Sequence, residues 1–233
     1  SAWSPEGRFG GCLESFRVDP KVEDKPVGAT TRDRDTLSPE GAFTLELWLK
    51  PKEELAEQPT AFLVDKKFFH YAKAEPRANT DYALYLQRHS GGGHVLTATL
   101  GFGKDSVWAS SKPVTLEAGR WVHLAYSYDG AGTSRFYVDG AYAGRVVHEG
   151  RGAVTPGTNP LIIGDRVGSS YGGCAGWIDQ VRLCRGVLPW AGGQVDINLR
   201  SGRTVFERLE KDAAIEVLIS NDTVRPMPSC RVR

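Results

Sequence analysis

The stretch from Arg120 to Gly150 limits the fold of this chain more than any other segment. It contains three apolar and aromatic runs separated by glycine-containing turns. Asp139-Gly140 is the pair that two-residue hairpin turns favour, and Asp129 to Gly132 offers similar turn chemistry. The runs predict three antiparallel strands, at residues 121–128, 135–138 and 141–147. Such a meander needs a second layer to cover its apolar face.

Alternation within the first of these runs assigns its two faces. Successive side chains of a strand point to opposite sides, so alternate residues share a face. One face consists of Val122, Leu124, Tyr126 and Tyr128, and the other of Trp121, His123, Ala125 and Ser127. Elsewhere the same criteria predict strands at residues 42–50, 60–65, 82–87, 94–100, 106–110, 161–164 and 176–184, and residues 19–39 read as a surface loop.

The run W-V-H-L-A-Y-S-Y-D-G, followed by F-Y-V-D-G, resembles the central signature of the laminin-G-like, concanavalin A-like domains. Phe43 to Pro51 resembles the early strand of that family, and Gly176 to Leu183 resembles its late strand. Three blocks in the family's order, over roughly residues 9–188, imply an all-β fold. The implied architecture is a two-layer antiparallel β-sandwich, a jelly roll.

The resemblance fades after Pro189. We expect a single domain over residues 1–233, with residues 190–233 as a C-terminal extension packed on the sandwich, because so short a segment cannot own a core. Within the extension, residues 205–212 predict a brief helix and residues 214–220 a strand.

Charge and hydropathy exclude two classes of partner. The chain has 29 Lys and Arg against 28 Asp and Glu, a formal net charge of +1, with no long block of one sign. General nucleic-acid binding requires a basic surface that displaces counterions. No apolar run approaches the length that spans a membrane.

The four cysteines do not predict a metal site. Cys12, Cys174, Cys184 and Cys230 lack C-x-x-C spacing, which argues against zinc. Cys174 and Cys184 flank a predicted strand and are too far apart to bond each other. A bridge from Cys230 to Cys174 or Cys184, and free buried thiols, both remain open.

No catalytic cluster is evident, so the chain is not predicted to be an enzyme. Related glucanases carry Glu-x-Asp-x-x-Glu on one strand, because glycosidases need two carboxyl groups at a controlled separation. Glu46 has no acidic partner at that spacing. Residues 168–172 match G-x-S-x-G, but the nucleophile elbow requires a following helix, and a strand follows here.

The resemblance, together with this lack of catalytic residues, implies a non-catalytic recognition module of a secreted or cell-surface protein, carbohydrate-binding in the first instance. The alternative is a structural or protein-interaction accessory domain of a larger protein, without sugar affinity. Expected partners are a glycan or cell-surface polysaccharide and other domains of a larger chain, with neither nucleic acid nor membrane insertion.

Sugar sites on β-sandwiches use aromatic rings as an apolar surface, with polar side chains that fix the hydroxyl groups. Trp48, Trp121 and Trp177 occupy family positions that predict packing. Trp108 follows a glycine-rich connection and is the predicted stacking residue, with ordinary packing as its alternative. The predicted ligand-binding set is Trp108, Tyr171, Arg88, His94 and Asp105.

Calcium is the cofactor that the resemblance implies. Asp179 occupies the acidic position of the late strand, and Asp165 precedes a glycine-rich loop. The family's next acidic residue is Gln180 here, which removes one charged oxygen ligand. Asp33 and Asp35 belong to a run of alternating charge that lacks the remaining ligands of a calcium loop, so a solvated loop is favoured there.

Overall fold

A computed structural model describes residues 1–16, 28–67, 79–166 and 173–188, together with the backbone of two further strands, Val195–Leu199 and Val217–Asn221. The first thirteen strands, in chain order, are β1 Ala2–Gly7, β2 Gly10–Ser15, β3 Ala29–Thr31, β4 Phe43–Pro51, β5 Thr60–Asp65, β6 Tyr82–Arg88, β7 His94–Gly101, β8 Ser106–Ser110, β9 Val122–Tyr128, β10 Thr133–Val138, β11 Ala141–Val147, β12 Leu161–Ile163 and β13 Gly176–Arg185. Two 3-10 helices, Asp35–Leu37 and Glu53–Glu57, lie between strands.

These strands form two antiparallel sheets, which confirms the predicted β-sandwich. The seven-stranded sheet has the order β1-β2-β13-β4-β9-β10-β11, and the six-stranded sheet has the order β3-β12-β5-β6-β7-β8. The chain therefore crosses repeatedly between the layers, as a jelly roll does.

The core lies between the two sheets and follows from strand alternation. Every second residue of β4 is buried, at Phe43, Leu45, Leu47 and Leu49. Leu84 and Leu86 of β6 belong to the same apolar cluster from the other sheet. Burial of aliphatic side chains at about 25 cal/mol per Å² is the main force that holds the sheets together.

The meander is found as predicted. Residues 122–128, 133–138 and 141–147 are its three strands, and Val122, Leu124, Tyr126 and Tyr128 face the core. Val138 pairs with Ala141, so the turn between them has two residues. Asp139 and Gly140 have φ values of 48° and 76°. Two positive φ values define the type I′ turn that suits the twist of a hairpin.

Part of the first predicted loop is structured. Residues 29–31 form β3, which pairs with β12 at the edge of the six-stranded sheet. The prediction of a continuous loop over residues 19–39 is wrong at this point, because three residues suffice for an edge strand. Residues 17–27 lie outside the described ranges.

Residues 189–233 are assigned to a second compact unit, distinct from residues 1–188. Its two described strands, β14 Val195–Leu199 and β15 Val217–Asn221, form an antiparallel pair. β15 overlaps the strand predicted at residues 214–220. The predicted helix at 205–212 lies outside the described residues, and docking of the extension on the sandwich stays a prediction.

Cys12, Cys174 and Cys184 are free cysteines. Burial raises the pKa of the Cys174 thiol to about 12. A thiol with such a pKa is protonated at neutral pH and therefore a poor nucleophile. Cys230 lies outside the described residues.

Candidate functional site

Trp108 lies on the outer face of the six-stranded sheet. Its neighbour Ala109 points into the core and is 2% exposed, so Trp108 points the other way, and it is 62% exposed. The Nε2 atom of His148 donates a hydrogen bond to the Trp108 carbonyl oxygen at 3.1 Å. The indole of Trp108 is therefore exposed to solvent, while the hydrogen bond from His148 holds the backbone at this position.

Hydroxyl and amide groups lie beside this indole, although the two threonines among them, Thr97 and Thr99, are buried. Trp108 pairs with Thr99 across β7 and β8, and Ser110 pairs with Thr97. The Thr97 hydroxyl donates to Oε1 of Gln87 at 3.0 Å and lies 2.9 Å from the Ser110 hydroxyl. We call this surface the Trp108 face; it consists of Gln87, Val95, Thr97, Thr99, Trp108 and Ser110.

Further across the same sheet the outer face is buried. Phe62 and Tyr85 stack with their ring centroids 4.8 Å apart, and the Tyr85 hydroxyl lies 3.1 Å from that of Thr99. The Arg166 guanidinium lies 3.7 Å from the Phe62 ring centroid and its Nε donates to Asp65 at 2.7 Å. The accessible part of the face is therefore its edge, on β8 and the adjoining strands.

Asp105 precedes Trp108 by three residues, but its carboxylate is paired with Arg151. Both of its carboxylate oxygens accept hydrogen bonds from Arg151, at 2.6 and 2.7 Å. The same guanidinium lies 5.0 Å from the Phe102 ring centroid. The hydrogen bond from Arg151 lowers the pKa of Asp105. The pair braces the turn between β7 and β8, on which the position of Trp108 depends.

Arg88 and His94 face each other across β6 and β7, but at the far end of the strands from Trp108. Thr99, the partner of Trp108, is five residues from His94, which is about 17 Å along an extended strand. Arg88 pairs with Glu57 at 3.1 Å. The structure does not bring these two residues together with Trp108 and Asp105.

His94 instead lines a small cavity. Its side chain is buried, and Nε2 donates to the Leu55 carbonyl oxygen at 3.2 Å. Burial lowers the pKa of the ring. The cavity has a volume of about 250 Å³ and is also lined by Lys52, Glu53 and Leu116. His94 is therefore a neutral, hydrogen-bonded wall of this cavity at physiological pH.

Tyr171, the other predicted aromatic ligand, lies outside the described residues, as does the G-x-S-x-G match at 168–172. Trp190 lies outside them too.

The two aspartates predicted as alternative calcium ligands lie in different sheets and already accept backbone hydrogen bonds. Asp179 lies in β13 of the seven-stranded sheet and accepts backbone hydrogen bonds from Phe9 and Gln180, at 2.9 and 2.7 Å. Asp165 follows β12 of the other sheet and accepts one from Arg166 at 2.7 Å. Calcium takes six to eight oxygen ligands. Among the residues that the structure describes, no three His, Cys, Asp or Glu side chains gather as metal ligands would.

Asp33, one of the two aspartates in the alternating-charge run, pairs with the ammonium group of Lys66. Lys66 Nζ lies 2.8 Å from Asp33 Oδ1 and 2.9 Å from Asp81 Oδ2. It also donates to the Gly157 carbonyl oxygen at 3.3 Å. The rest of the run, Arg32, Arg34 and Asp35, is exposed, as predicted for a solvated loop, and Asp33 is partly buried because its carboxylate is the partner of a fully buried lysine.

Three tryptophans predicted to be packed in the core lie on the outer face of the seven-stranded sheet instead. Trp48, Trp121 and Trp177 are each partly exposed. Lys50 Nζ lies 4.6 Å from the Trp177 ring centroid and 5.4 Å from that of Trp121. The sequence carried the signal, since Leu47 and Leu49 fix the inward phase of β4 and leave Trp48 facing outward.

The buried carboxylate of Glu46, on this same outer face, is not arranged as a general acid. Its Oε2 lies 3.0 Å from His123 Nε2, and its Oε1 pairs with Arg182. Burial favours the protonated form, but the hydrogen bonds and charges of these two partners outweigh it and lower the pKa of Glu46. A glycosidase acid requires the opposite, a raised pKa.

Comparisons with known proteins agree with this fold. The family model described as the concanavalin A-like lectin/glucanases superfamily matches residues 27–191. No curated protein sequence matches the chain significantly. Within the described ranges the helices are single short turns, and none has the length or hydropathy of a membrane span.

Several solved structures share the fold. Domain 4 of AbnA, an extracellular GH43 arabinanase from Geobacillus stearothermophilus in complex with arabinotriose, has a TM-score of 0.56 and 18% identity, covering 82% of this chain and 77% of its own. The Ruminococcus gnavus IT-sialidase CBM40 bound to α2,3-sialyllactose has a TM-score of 0.56 and 14% identity, covering 77% and 94%. A heptameric pentraxin from Limulus polyphemus has a TM-score of 0.52 and 16% identity, covering 89% and 93%. At these identities the likeness is one of fold.

Proposed function

The chain belongs to the concanavalin A-like lectin/glucanases superfamily, and from this premise we propose that it is a non-catalytic carbohydrate-binding module. The observation that carries the proposal is the exposed indole of Trp108 beside the exposed Ser110 hydroxyl and the half-buried Gln87 amide, which the buried Thr97 orients. An apolar ring with convergent polar groups is the arrangement that recognises the two kinds of surface on a sugar. Two of the structural neighbours hold saccharides in their solved complexes.

The absence of enzymatic activity is also part of the proposal. Glu46 is held ionised by His123 and Arg182, so it lacks the protonation state that acid catalysis requires. We place the module outside the cell, on a secreted or surface protein, as is usual for domains of this family. The protein would thus hold a glycan without changing it.

Affinity electrophoresis tests the proposal. The protein is run through native gels that contain plant, algal or host polysaccharides, and specific retardation by at least one of them is expected. Replacing Trp108 with Ala removes the stacking surface and should weaken binding about tenfold, the equivalent of about 1.4 kcal/mol. Stability should change by less than about 0.5 kcal/mol, because the indole is exposed.

Trp3→Ala is the matched control. Trp3 is 75% exposed and lies on β1 of the seven-stranded sheet, away from the Trp108 face. Its replacement removes an exposed indole of the same size and should leave retardation unchanged. Equal loss in both variants, or gels that stay blank for every polysaccharide, would contradict the proposal.

One observation favours the alternative, a protein-interaction accessory domain without sugar affinity. Trp3, Phe9 and Phe16 are 75%, 52% and 39% exposed, and all three belong to the first sixteen residues. Exposed aromatic side chains are enriched where proteins meet. Under this alternative, a neighbouring domain of a larger chain would cover these three side chains. Trp3→Ala, rather than Trp108→Ala, would then weaken the contact with that domain.

A further inference from the structure

We propose that the Trp108 face takes a saccharide without charge, an inference that rests on the proposed function and names its ligand class. None of the six residues of the face carries a charge. Trp108, Ser110, Gln87 and Val95 keep exposed surface, whereas Thr97 and Thr99 are buried beneath them. Sugar hydroxyl groups can both donate to and accept from the Ser110 and Gln87 side chains.

Among the charged residues near the face, Asp105 pairs with Arg151 and Arg88 pairs with Glu57, whereas Lys104 and Lys112 are exposed and form no ion pair with any described residue. Asp105 uses both carboxylate oxygens on Arg151, beyond the end of β7 that follows Thr99. Arg88, at the other end of the face, pairs with Glu57 at 3.1 Å. A carboxylate or sulfate of a ligand would have to compete for these cations, and each pair would lose a partner in the process.

An acidic sugar on the face would lose water without gaining a counter-charge from any of its six residues. Removing an ion from water costs far more than removing a hydroxyl group, unless an opposite charge meets it. Gln87 and Ser110 offer only neutral dipoles, and the buried Thr97 hydroxyl orients both of them, at 3.0 and 2.9 Å. The face therefore discriminates against charge and accepts hydroxyl-rich ligands.

The accessible width of the face also limits the ligand. Trp108 and Ser110 of β8 are exposed, and Gln87 of β6 is half-buried, whereas Tyr85 and Phe62 further in are buried. Three neighbouring strands span about 10 Å from first to last. The face thus accommodates a short segment of a chain, or its end, rather than a long stretch.

Opposite charges introduced at Ser110 test the inference. Ser110 is exposed and belongs to the face, so Ser110→Asp and Ser110→Lys place either sign beside the ligand. For an uncharged saccharide, both variants should bind more weakly than the wild type, and their affinities should agree within about threefold at low salt. The wild-type affinity should also be unchanged between low and physiological salt. An acidic ligand would separate the two variants about tenfold or more, with Ser110→Lys the tighter.

Two controls complete the experiment. Ala2→Asp and Ala2→Lys, at an exposed position on β1, make the same changes in net charge away from the face, because β1 is the edge strand of the other sheet opposite β11. Lys104, in the turn beside Asp105, and Lys112, two residues after Ser110, form no ion pair with any described residue, so the salt titration also covers their contributions.

The outcomes separate the inference from the proposed function. Retardation by neutral polysaccharides that is lost in Trp108→Ala and insensitive to salt supports both. Retardation by acidic polysaccharides alone, lost in Trp108→Ala and abolished by salt, overturns the uncharged ligand and leaves the carbohydrate-binding function. No retardation by neutral or acidic polysaccharides overturns both.

Discussion

Lys66 Nζ lies 2.9 Å from Asp81 Oδ2, and neither side chain has any exposed surface. The Ser38 hydroxyl donates to the other carboxylate oxygen of Asp81 at 2.7 Å. Asp81 has a φ of 52°, in the left-handed region that aspartate tolerates better than most residues. This buried ion pair lies at the paired ends of β5 and β6, and Lys66 connects it to two further loops through Asp33 and the Gly157 carbonyl oxygen.

Removing the lysine should be costly. In Lys66→Met the Asp81 carboxylate stays buried without its cation, and such uncompensated charges cost about 3–5 kcal/mol. Urea unfolding measures the loss. Arg88→Met is the control, because the Arg88–Glu57 pair is exposed and such pairs contribute about 0–1 kcal/mol. Similar losses in the two variants would show that the buried pair is not the connection we describe.

The neighbouring lysine predicts a dependence on pH. Burial, and then the charge of Arg166, lower the pKa of Lys67 to about 8, against 10.5 for an unperturbed lysine. Between these values the unfolded chain binds more protons than the folded one, so this residue makes the free energy of unfolding rise with pH. Lys67→Met removes the effect. The measurement is the difference between the wild-type and variant unfolding curves from pH 8 to 10.

The difference between the wild-type and Lys67→Met free energies of unfolding isolates the contribution of Lys67, whereas the pH dependence of either protein alone does not. The buried Cys174 thiol has its pKa raised to about 12 from 9.0, so the unfolded chain releases its proton first and stability falls with rising pH. This contribution is common to both proteins and cancels. A constant difference across the range would mean that Lys67 has no lowered pKa.

Gly132, in the turn between β9 and β10, should not accept a side chain. Its φ is +102°, and an added Cβ would collide with the His148 carbonyl oxygen. Gly140 has a φ of +76° with nothing within 4 Å of its added Cβ. We expect Gly140→Ala to cost about 1 kcal/mol from backbone strain, and Gly132→Ala about 1–3 kcal/mol more because the backbone must also move. Thermal unfolding of the two variants compares these costs, and equal values would contradict the collision.

A calcium titration tests the site that the family resemblance implies at Asp179 or Asp165. A ligand that binds only the folded state raises its stability in proportion to the logarithm of ligand concentration. Because both carboxylates already accept backbone hydrogen bonds, we expect the unfolding temperature to be the same in millimolar calcium and in a chelator. A rise that grows with calcium concentration would restore the metal to these residues.

The fold was largely readable from the sequence because its signals are local. Alternation placed Val122, Leu124, Tyr126 and Tyr128 on one face, and Asp139-Gly140 specified its turn. Trp48 shows the limit of family position as a guide. Because Leu47 and Leu49 face the core, strand alternation makes Trp48 face outward, whatever the size of its side chain.

The candidate site was predictable only in part, because it depends on which distant residues meet. Trp108 was identified from its type and the preceding loop. Its companions were chosen by proximity in sequence, yet Asp105 pairs with Arg151, 46 residues away. Thr97, Ser110 and Gln87 were not singled out, since neutral polar residues on strands carry no pattern until the register is known. The partners of Lys66 were hidden for the same reason.

The tryptophans have a spectroscopic consequence. Five of the six lie in the described residues, and none belongs to the apolar core, where tyrosine and phenylalanine fill the space. Intrinsic indole emission from these five therefore reports the two outer surfaces of the sandwich and not its interior. A ligand that covers Trp108 should shift that emission to shorter wavelength. Loosening of the core should instead appear first in the near-ultraviolet circular dichroism of the buried Tyr82, Tyr126 and Tyr128. The two events can be followed separately in one sample.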